Sequence, residues 1–357
     1  MATNSQNSYI IICGPSAIRT LRCEQRRYGC VRWKPVDYRA ACKALRYSTG
    51  NTSDFDYSQL EMLGAWQPGE ELHVLVNDAR KRGNVRGVHF HVSGKPLPSG
   101  ALMELAPNVG ILSPQMIAAV YARSHSFART YAFFEELCGN ITLSETGYTE
   151  WLADMRPTEE EGAATLTDES PYYVCEPALS PYGLRNWLGK VTNVPGVSGA
   201  SKVARYVLGG ARSPMEIMMF GQFCLPIKNG GFGCKNGKSN YRIDFNDEAI
   251  TVSGMPYALG DLVFPASREI LEYKGHPHDT KASRIRDEKR EAGLAAMGYG
   301  VTSINSEQIM NITALEAIAK RLHRQAGSRF RYTVSGYRNR QFELMQELHD
   351  WAQNRQG

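Results

Sequence analysis

The sequence contains no apolar run near the roughly 18 residues that a membrane-spanning helix requires. The apolar stretch from Tyr9 to Cys13 is too short for the core of a signal peptide, and no basic segment precedes it. We therefore expect a cytoplasmic protein that has no membrane partner.

Paired cysteines are missing too. The eight cysteines include no Cys-x-x-Cys motif. No two cysteines are followed by a histidine at the sequence spacing that zinc sites show. Four of them (Cys13, Cys23, Cys30 and Cys42) fall near the start, so a zinc site there is the alternative to the reduced, mostly buried thiols that we predict. A composition of 42% hydrophobic and 22% charged residues excludes a disordered, collagen-like or disulfide-scaffold protein.

Sequence motifs for binding nucleotide cofactors are absent as well. Gly237-Lys238-Ser239 matches the end of a phosphate-binding loop, but that motif requires a glycine where Phe232 stands. No Gly-x-Gly-x-x-Gly opens a helix after a strand pattern, so we expect no dinucleotide cofactor.

Charge is unevenly distributed along the chain, although the net charge is only +5. Residues 1–50 carry a net charge of +7, residues 51–280 carry −7, and residues 281–357 carry +5. Two basic ends that flank an acidic middle suit a polyanion such as nucleic acid, because binding would release condensed counterions. Basic side chains that merely solvate exposed helices are the alternative explanation.

The length predicts two or three compact units, and the mixture of strand and helix patterns predicts an α/β (α+β) fold. We predict an N-terminal α+β region, a helical region, a third unit with a mixed sheet flanked by helices, and a helical tail, over residues 1–112, 113–212, 213–325 and 326–357. The first region would contain strands over 72–76 and 87–92. The second would contain helices over 114–138 and 181–208 and an acidic loop over 156–171.

The third region alternates helix and strand patterns around several acidic and basic side chains. Ser213 to Glu216 has the pattern of a helix start, and Thr313-x-x-Glu316 matches a capping box at the start of a later helix. Between them we predict a strand over 241–245, a strand that begins at Asp261, a strand over 269–274, a helix over 281–297 and a strand over 299–304.

Asp261, Glu272 and Lys274 form a minimal set for metal-assisted phosphodiester hydrolysis. Side chains alternate along a strand, so Glu272 and Lys274 project from one side, and Asp261 lies on the strand that would pair with it. Two carboxylates on adjacent strands supply the hard oxygen ligands that Mg²⁺ prefers. A lysine beside them can position or deprotonate the attacking water, while the metal neutralises charge on the phosphate.

This segment resembles the PD-(D/E)XK nuclease superfamily through Asp261-Leu-Val-Phe-Pro265, Glu272-Tyr-Lys-Gly275 and the basic helix with Arg284 and Arg290 that precedes Gly298-Tyr-Gly-Val301. The closest branch is that of domains related to very-short-patch-repair endonucleases, which in bacterial proteins often follow a region like that of abortive-infection proteins. The resemblance covers about residues 213–325. Gly260 stands where the superfamily name expects proline, whereas Lys274 is kept.

The resemblance implies residue roles. Asp261 and Glu272 would bind Mg²⁺, for which Mn²⁺ could substitute, Lys274 would support the water, and Glu216 on the preceding helix would assist. Basic side chains after the site would contact DNA; these are His276, His278, Lys281, Arg284 and Arg290.

Each of these assignments has an alternative. Glu216 also fits a helix-capping role, and Asp244 is a second choice of metal ligand, although we expect it to face solvent. For the two histidines we favour exposed loop residues over a role in proton transfer. Helical spacing from acidic residues lets several of the basic side chains form surface ion pairs instead.

The function that this implies is a Mg²⁺-dependent DNA endonuclease in restriction, phage defence or a toxin-like system. The alternative is a DNA-binding regulator or antitoxin-like module whose nuclease fold is inactive, and RNA is a further choice of substrate. The N-terminal region would recognise DNA or a partner protein, and cutting both strands would call for a homodimer.

Overall fold

The computed structural model describes residues 8–144, 172–274, 281–332 and 334–353, with only the backbone for residues 281–283. Its strands are β1 (Ile10–Ile12), β2 (Lys34–Pro35), β3 (Leu72–Val76), β4 (Val88–Val92), β5 (Leu102–Ala106), β6 (Val109–Leu112), β7 (Ile141–Leu143), β8 (Tyr172–Val174), β9 (Lys238–Asp244), β10 (Tyr257–Phe264), β11 (Glu269–Tyr273) and β12 (Gly300–Ile304).

The α-helices of the described residues are α1 (Gly14–Tyr28), α2 (Tyr38–Arg46), α3 (Tyr57–Met62), α4 (Pro114–Ser124), α5 (Phe127–Leu137), α6 (Pro181–Lys190), α7 (Val197–Ala204), α8 (Pro214–Cys224), α9 (Asp247–Ser253), α10 (Lys281–Ala296), α11 (Ser306–Ile309), α12 (Ile312–Gln325) and α13 (Tyr337–Ala352). The chain is a mixed α/β protein, as the sequence predicts. No helix in the described ranges is both long and apolar enough to cross a membrane.

The chain divides into two compact units. The first unit comprises Met1–Ser126 and Tyr173–Arg205, and the second comprises Phe127–Tyr172 and Tyr206–Gly357. The predicted helical region over 113–212 therefore supplies α4, α6 and α7 to the first unit and α5 to the second.

The first unit is built on a six-stranded mixed sheet in the order β2-β5-β6-β1-β3-β4. Strand β1 lies at its centre, parallel to β6 and antiparallel to β3, and all three of its isoleucines are buried. The predicted strands over 72–76 and 87–92 are confirmed as β3 and β4, which run parallel. Strands β1, β5 and β6 were not predicted from the sequence, because they are short and lack a long alternating pattern.

Two of the predicted helices are each divided in the structure. The prediction of one helix over 114–138 is wrong, because the backbone is extended at His125 and its ring Nδ1 bonds the Tyr121 carbonyl at 2.9 Å, which ends α4. The stretch over 181–208 is divided between α6 and α7 by Pro195 and Gly196. Gly196 has a φ of 92°, and a Cβ there would lie 1.9 Å from the Ala119 carbonyl oxygen, so only glycine fits this turn.

The second unit contains a four-stranded sheet in the order β12-β11-β10-β9. Strands β9, β10 and β11 are antiparallel, and β12 returns parallel to β11 after helix α10. Ile243, Val263, Ile270 and Leu294 form part of one buried core cluster of this unit. Helix α8 is almost entirely buried and packs against β10 and β11.

Two predicted element boundaries in the second unit are wrong. Strand β10 begins at Tyr257, so Asp261 lies inside the strand instead of at its start. Thr313 does not cap α12; Asn311 does, since its side chain accepts hydrogen bonds from the backbone N–H groups of Thr313 and Ala314 at 3.1 Å. Asn is among the preferred N-cap residues, whereas Thr313 already lies in the first turn of the helix.

Candidate active site

Asp261 and Glu272 lie opposite each other on neighbouring strands. Strands β10 and β11 are antiparallel with Leu262 opposite Leu271, so the next pair along the ladder is Asp261 and Glu272. Directly opposed residues of an antiparallel pair point to the same face of the sheet. Oδ2 of Asp261 also accepts the Tyr273 backbone N–H at 3.1 Å, which fixes this carboxylate against β11.

An irregularity in strand β9 accompanies Asp261. Asn240 has a φ of 42°, in the left-handed region, and the ladder between β9 and β10 runs from Gly260–Tyr241 to Leu262–Ser239 without a pair between them. The Asn240 side-chain amide donates to Oε2 of Glu216 at 2.8 Å and to the Gly210 carbonyl at 2.8 Å. This asparagine therefore connects the start of α8 to the strand that flanks the candidate site.

Glu216 has the capping role that its position predicts. Ser213 is the N-cap of α8, where its hydroxyl accepts the Glu216 N–H at 3.2 Å and donates to Oε1 of Glu216 at 3.1 Å. Oε2 also accepts the Arg212 N–H at 3.0 Å. The carboxylate is 7% exposed, so its hydrogen bonds hold it inside the fold.

The carboxylates influence each other electrostatically. Burial, followed by the nearby Glu216 and Glu272, raises the pKa of Asp261 to about 7, although the Tyr273 N–H and Arg290 act in the opposite direction. Burial also raises the pKa of Glu216. Glu216 and Glu272 thus lie close enough to Asp261 to disfavour its negative charge, and a bound cation would relieve this repulsion.

Arg290 of helix α10 forms an ion pair with Glu272. Nη1 donates to Oε2 at 3.2 Å, and Nη2 donates to Oε1 and to the Leu259 carbonyl. Both side chains are largely buried, with 16% and 11% of the side-chain surface exposed. Both oxygens of Glu272 are therefore occupied in this state, and Arg290 lies within the site instead of facing solvent as a phosphate contact would.

Lys274 follows the last residue of β11. Its backbone N–H donates to the Ile304 carbonyl at 2.9 Å, which continues the pairing with β12. The side chain is about half exposed, and Nζ lies 4.0 Å from Oε1 of Glu291 on α10. The structure thus pairs Asp261 with Glu272, whereas the ammonium group of Lys274 contacts a third acidic residue.

The remaining predicted residues are more dispersed. Arg284 is exposed on α10, the side chain of Lys281 is outside the described residues, and His276 and His278 are outside them entirely. Asp244 is largely exposed and pairs with Arg242 at 2.7 Å, on the solvent side of β9.

The carboxylates of Asp261 and Glu272 are oxygen donors of the kind that Mg²⁺ prefers. Within the described ranges, no group of three or more His, Cys, Asp or Glu side chains is placed to hold a metal ion. Mg²⁺ is commonly held by one or two protein carboxylates, with waters and substrate phosphate oxygens completing the octahedron. Asp261 and Glu272 fit that smaller donor set, provided that Arg290 releases Glu272.

Two features of the site could not be recognised in the sequence. Arg290 and Glu272 are 18 residues apart, so no local pattern announces their pairing. Asn240 carried no signal beyond its place at the end of a glycine-rich turn.

No protein-family model, no curated protein and no solved structure matches the chain.

Proposed function

We propose that the protein is a Mg²⁺-dependent DNA endonuclease that hydrolyses phosphodiester bonds at the site around Asp261 and Glu272. One observation carries this proposal: the two carboxylates lie opposite each other on adjacent antiparallel strands, and Lys274 immediately follows the end of β11. The succession of α8, three antiparallel strands, α10 and a parallel strand is the arrangement that the resemblance implies for this segment.

Each residue has a role in this proposal. Asp261 and Glu272 would hold the metal, which would supply positive charge to the scissile phosphate. Lys274 orients the attacking water by donating a hydrogen bond to its oxygen. Glu216 is a positioning residue, because its contacts with Asn240 and Arg212 fix the backbone beside Asp261.

Arg290 has two states in the proposal. With no cation in the site it neutralises Glu272, and with a cation bound it turns towards the substrate phosphate, which its position on α10 allows. Arg284, Arg286 and Lys289 are exposed on the same helix and supply further positive charge. A role in restriction, phage defence or a toxin-like system is part of the proposal and rests on the resemblance alone.

The test is cleavage of supercoiled plasmid and of single-stranded DNA with Mg²⁺, with Mn²⁺ and with a chelator. We expect metal-dependent nicking by the unmodified chain and a loss of about 100-fold or more in Glu272→Ala, since the metal would lose one of its two carboxylates. Glu288→Ala removes an exposed carboxylate from the same unit and should retain full activity. Cleavage by Glu272→Ala at the normal rate would show that the site is elsewhere.

A DNA-binding module without catalysis is the second candidate, and the ion pair of Arg290 with Glu272 is the observation that favours it. It predicts no cleavage of any substrate, with retardation of DNA that added salt reverses. Single-stranded RNA in the same assay distinguishes an RNA substrate from DNA.

A further inference from the structure

A cavity of about 520 Å³ lies in the first unit, beside the start of α1 and strand β4. Its lining includes the side chains of Arg82, Lys95 and Arg123 and two histidines, His89 and His91. Among the described residues that line it there is no aspartate and no glutamate. A cavity of this volume is within the usual range for small-molecule sites, about 300–1,000 Å³.

The positive charge in this cavity is not neutralised by the described part of the protein. Arg82, Lys95 and Arg123 form no ion pair with a described acidic residue. Burial is the main cause that lowers the pKa of His91 to about 4, and His73, His89, Arg123 and Arg82 contribute to the same shift. Unpaired cationic groups around a cavity attract an anion, because its charge would relieve their mutual repulsion.

The histidines form an ordered cluster at the wall of the cavity. Nδ1 of His73 and Nε2 of His91 are 3.0 Å apart, and the rings of His89 and His91 are 4.7 Å apart between centroids. The backbone N–H of His73 donates to the Ser16 hydroxyl at 3.0 Å, which ties the cluster to the first turn of α1. These hydrogen bonds fix the rings of His73 and His91 relative to each other and to α1.

The start of helix α1 contributes to the same cavity. Cys13 and Gly14 line it, and the N-cap Cys13 gives this 15-residue helix no side-chain cap. A helix N-terminus favours negative charge through its dipole. Gly14 has a φ of 54°, and a Cβ there would lie 3.2 Å from Nε2 of His91, so the glycine keeps this side of the cavity open.

The rest of the lining is apolar, including Leu75, Phe90, Leu112 and Met116. The volume exceeds what a small inorganic anion would fill, and a lining with both cationic and apolar residues fits a ligand that has a phosphate and an aromatic body. We propose that this cavity binds an organic phosphate of nucleotide size, with the phosphate near Arg82, Arg123 and the start of α1. Both a free mononucleotide and the phosphorylated end of a nucleic-acid strand have this chemistry.

The proposal is tested by calorimetric titration of the full chain with AMP, with adenosine and with inorganic phosphate. We expect saturable binding of AMP, and weaker binding of the other two probes because each lacks half of the ligand. The double variant Arg82→Gln/Arg123→Gln should weaken AMP binding about tenfold or more, because two charge-assisted contacts are lost. Arg80→Gln is the matched control, since Arg80 lies on the same turn and pairs with Asp78 outside the cavity lining.

Two oligonucleotides of one sequence, with and without a 5′-phosphate, distinguish the sources of the phosphate. A preference for the phosphorylated one that the double variant abolishes assigns the site to strand ends, and AMP binding without that preference assigns it to free nucleotides.

The proposal would be overturned if neither AMP nor the 5′-phosphorylated oligonucleotide bound saturably. It would also be overturned if adenosine or inorganic phosphate bound as tightly as AMP. A third contrary result would be equal AMP affinity in the double variant and the Arg80→Gln control. Melting curves of the variants establish that they fold. Glu272→Ala should bind AMP normally, so this test and the cleavage test fail independently.

Discussion

At the residue scale, the ion pair between Arg290 and Glu272 is the contact that decides whether Glu272 is available to a cation. Replacing Arg290 by glutamine leaves the largely buried Glu272 without its partner. We expect Arg290→Gln to lower the free energy of unfolding by roughly 3 kcal/mol without metal, as for other broken buried pairs. Mg²⁺ should then stabilise this variant more than the unmodified chain, because no guanidinium competes for the carboxylate.

Thermal unfolding with and without Mg²⁺ measures both effects. Arg284→Gln is the control, since Arg284 is exposed on the same helix, and its melting curves should match those of the unmodified chain. An Arg290→Gln variant with a normal melting temperature and an unchanged response to Mg²⁺ would contradict the two-state role of Arg290.

The buried Glu135, which lies outside the candidate site, should make the stability of the folded protein depend on pH. Its side chain is fully buried, where its two carboxylate oxygens accept the Leu208 and Gly209 N–H groups, each at 2.8 Å. Burial raises its pKa from the ordinary value of 4.5 to about 7, and those N–H groups hold it below what burial alone would give. Between these two values the folded protein keeps a proton that the unfolded chain has lost. This contribution to stability is therefore complete below pH 4.5 and is lost as the pH rises through about 7.

Melting curves of the unmodified chain and of Glu135→Gln across this pH range test that assignment. The difference between the two proteins should change by an amount of the order of 3 kcal/mol, with the unmodified chain losing stability relative to the variant as the pH rises. The comparison removes the opposite contributions of His73 and His91, whose pKa values are lowered to about 4 in both proteins. Parallel pH profiles would contradict the raised pKa of Glu135.

At the scale of the element, helix α10, which carries Arg290, packs closely on Phe245, the residue that follows β9. A Cβ at Gly293 would lie 2.3 Å from Cε2 of the buried Phe245, so the helix can approach only because this residue is glycine. We expect Gly293→Ala to destabilise the second unit by about 1–3 kcal/mol, as overpacking of a core does. It should also lower any nuclease activity, since α10 carries the partner of Glu272.

Gly189→Ala is the contrast for this prediction. Gly189 lies in helix α6, where a Cβ would meet nothing within 4 Å. Alanine should therefore be neutral or stabilise the helix by up to about 1 kcal/mol. Chemical denaturation of both variants gives the two values, and a Gly293→Ala variant as stable as the unmodified chain would show that α10 is free to move away from Phe245.

The elements that the sequence predicts well are those with a strong local pattern. Strand β3 has the predicted bounds, and helix α8 begins after Ser213 as its Ser-Pro-x-Glu start indicates. The start of β10 was misjudged because Gly260 is typical of a turn. In the sheet, however, a Cβ at Gly260 would lie 2.7 Å from side-chain atoms of Val263 and Ile270, so this glycine serves a close approach within the strand.

Tertiary packing accounts for the other errors at this scale. In the predicted helical tail the apolar residue Phe342 is largely exposed, whereas Leu344, Leu348 and Trp351 are buried. The interruption between α4 and α5 coincides with the boundary between the two units. Propensity and periodicity describe a segment by itself, so they cannot specify where the chain passes from one core to another.

At the scale of the whole molecule, the order of elements could be predicted but the partition of the chain could not. The second unit follows the predicted succession of helix and strands, which places Asp261 opposite Glu272. The first unit takes in Tyr173–Arg205 from beyond α5, a discontinuity that no local composition reveals. Its cationic cavity was not predicted either, because Arg82, His91 and Arg123 come from separate elements.

The two basic ends of the chain belong to different compact units. The basic first 50 residues belong to the unit that carries the cationic cavity, whereas the basic segment after residue 280 belongs to the unit that carries the candidate active site. Each unit therefore contains one of the two basic segments.

Hydrolysis of DNA at the proposed site is tested most directly by the rate at which the protein nicks supercoiled plasmid in Mg²⁺. The rate is compared for the unmodified chain, Lys274→Ala and Lys235→Ala. Lys235 is an exposed lysine of the same unit and outside the site, so its variant controls for the loss of one positive charge. We predict that Lys274→Ala is slower by about 100-fold or more, because the group that orients the attacking water is removed. Lys235→Ala should nick at the rate of the unmodified chain. Equal rates for all three proteins, or no metal-dependent nicking by the unmodified chain, would contradict the claim.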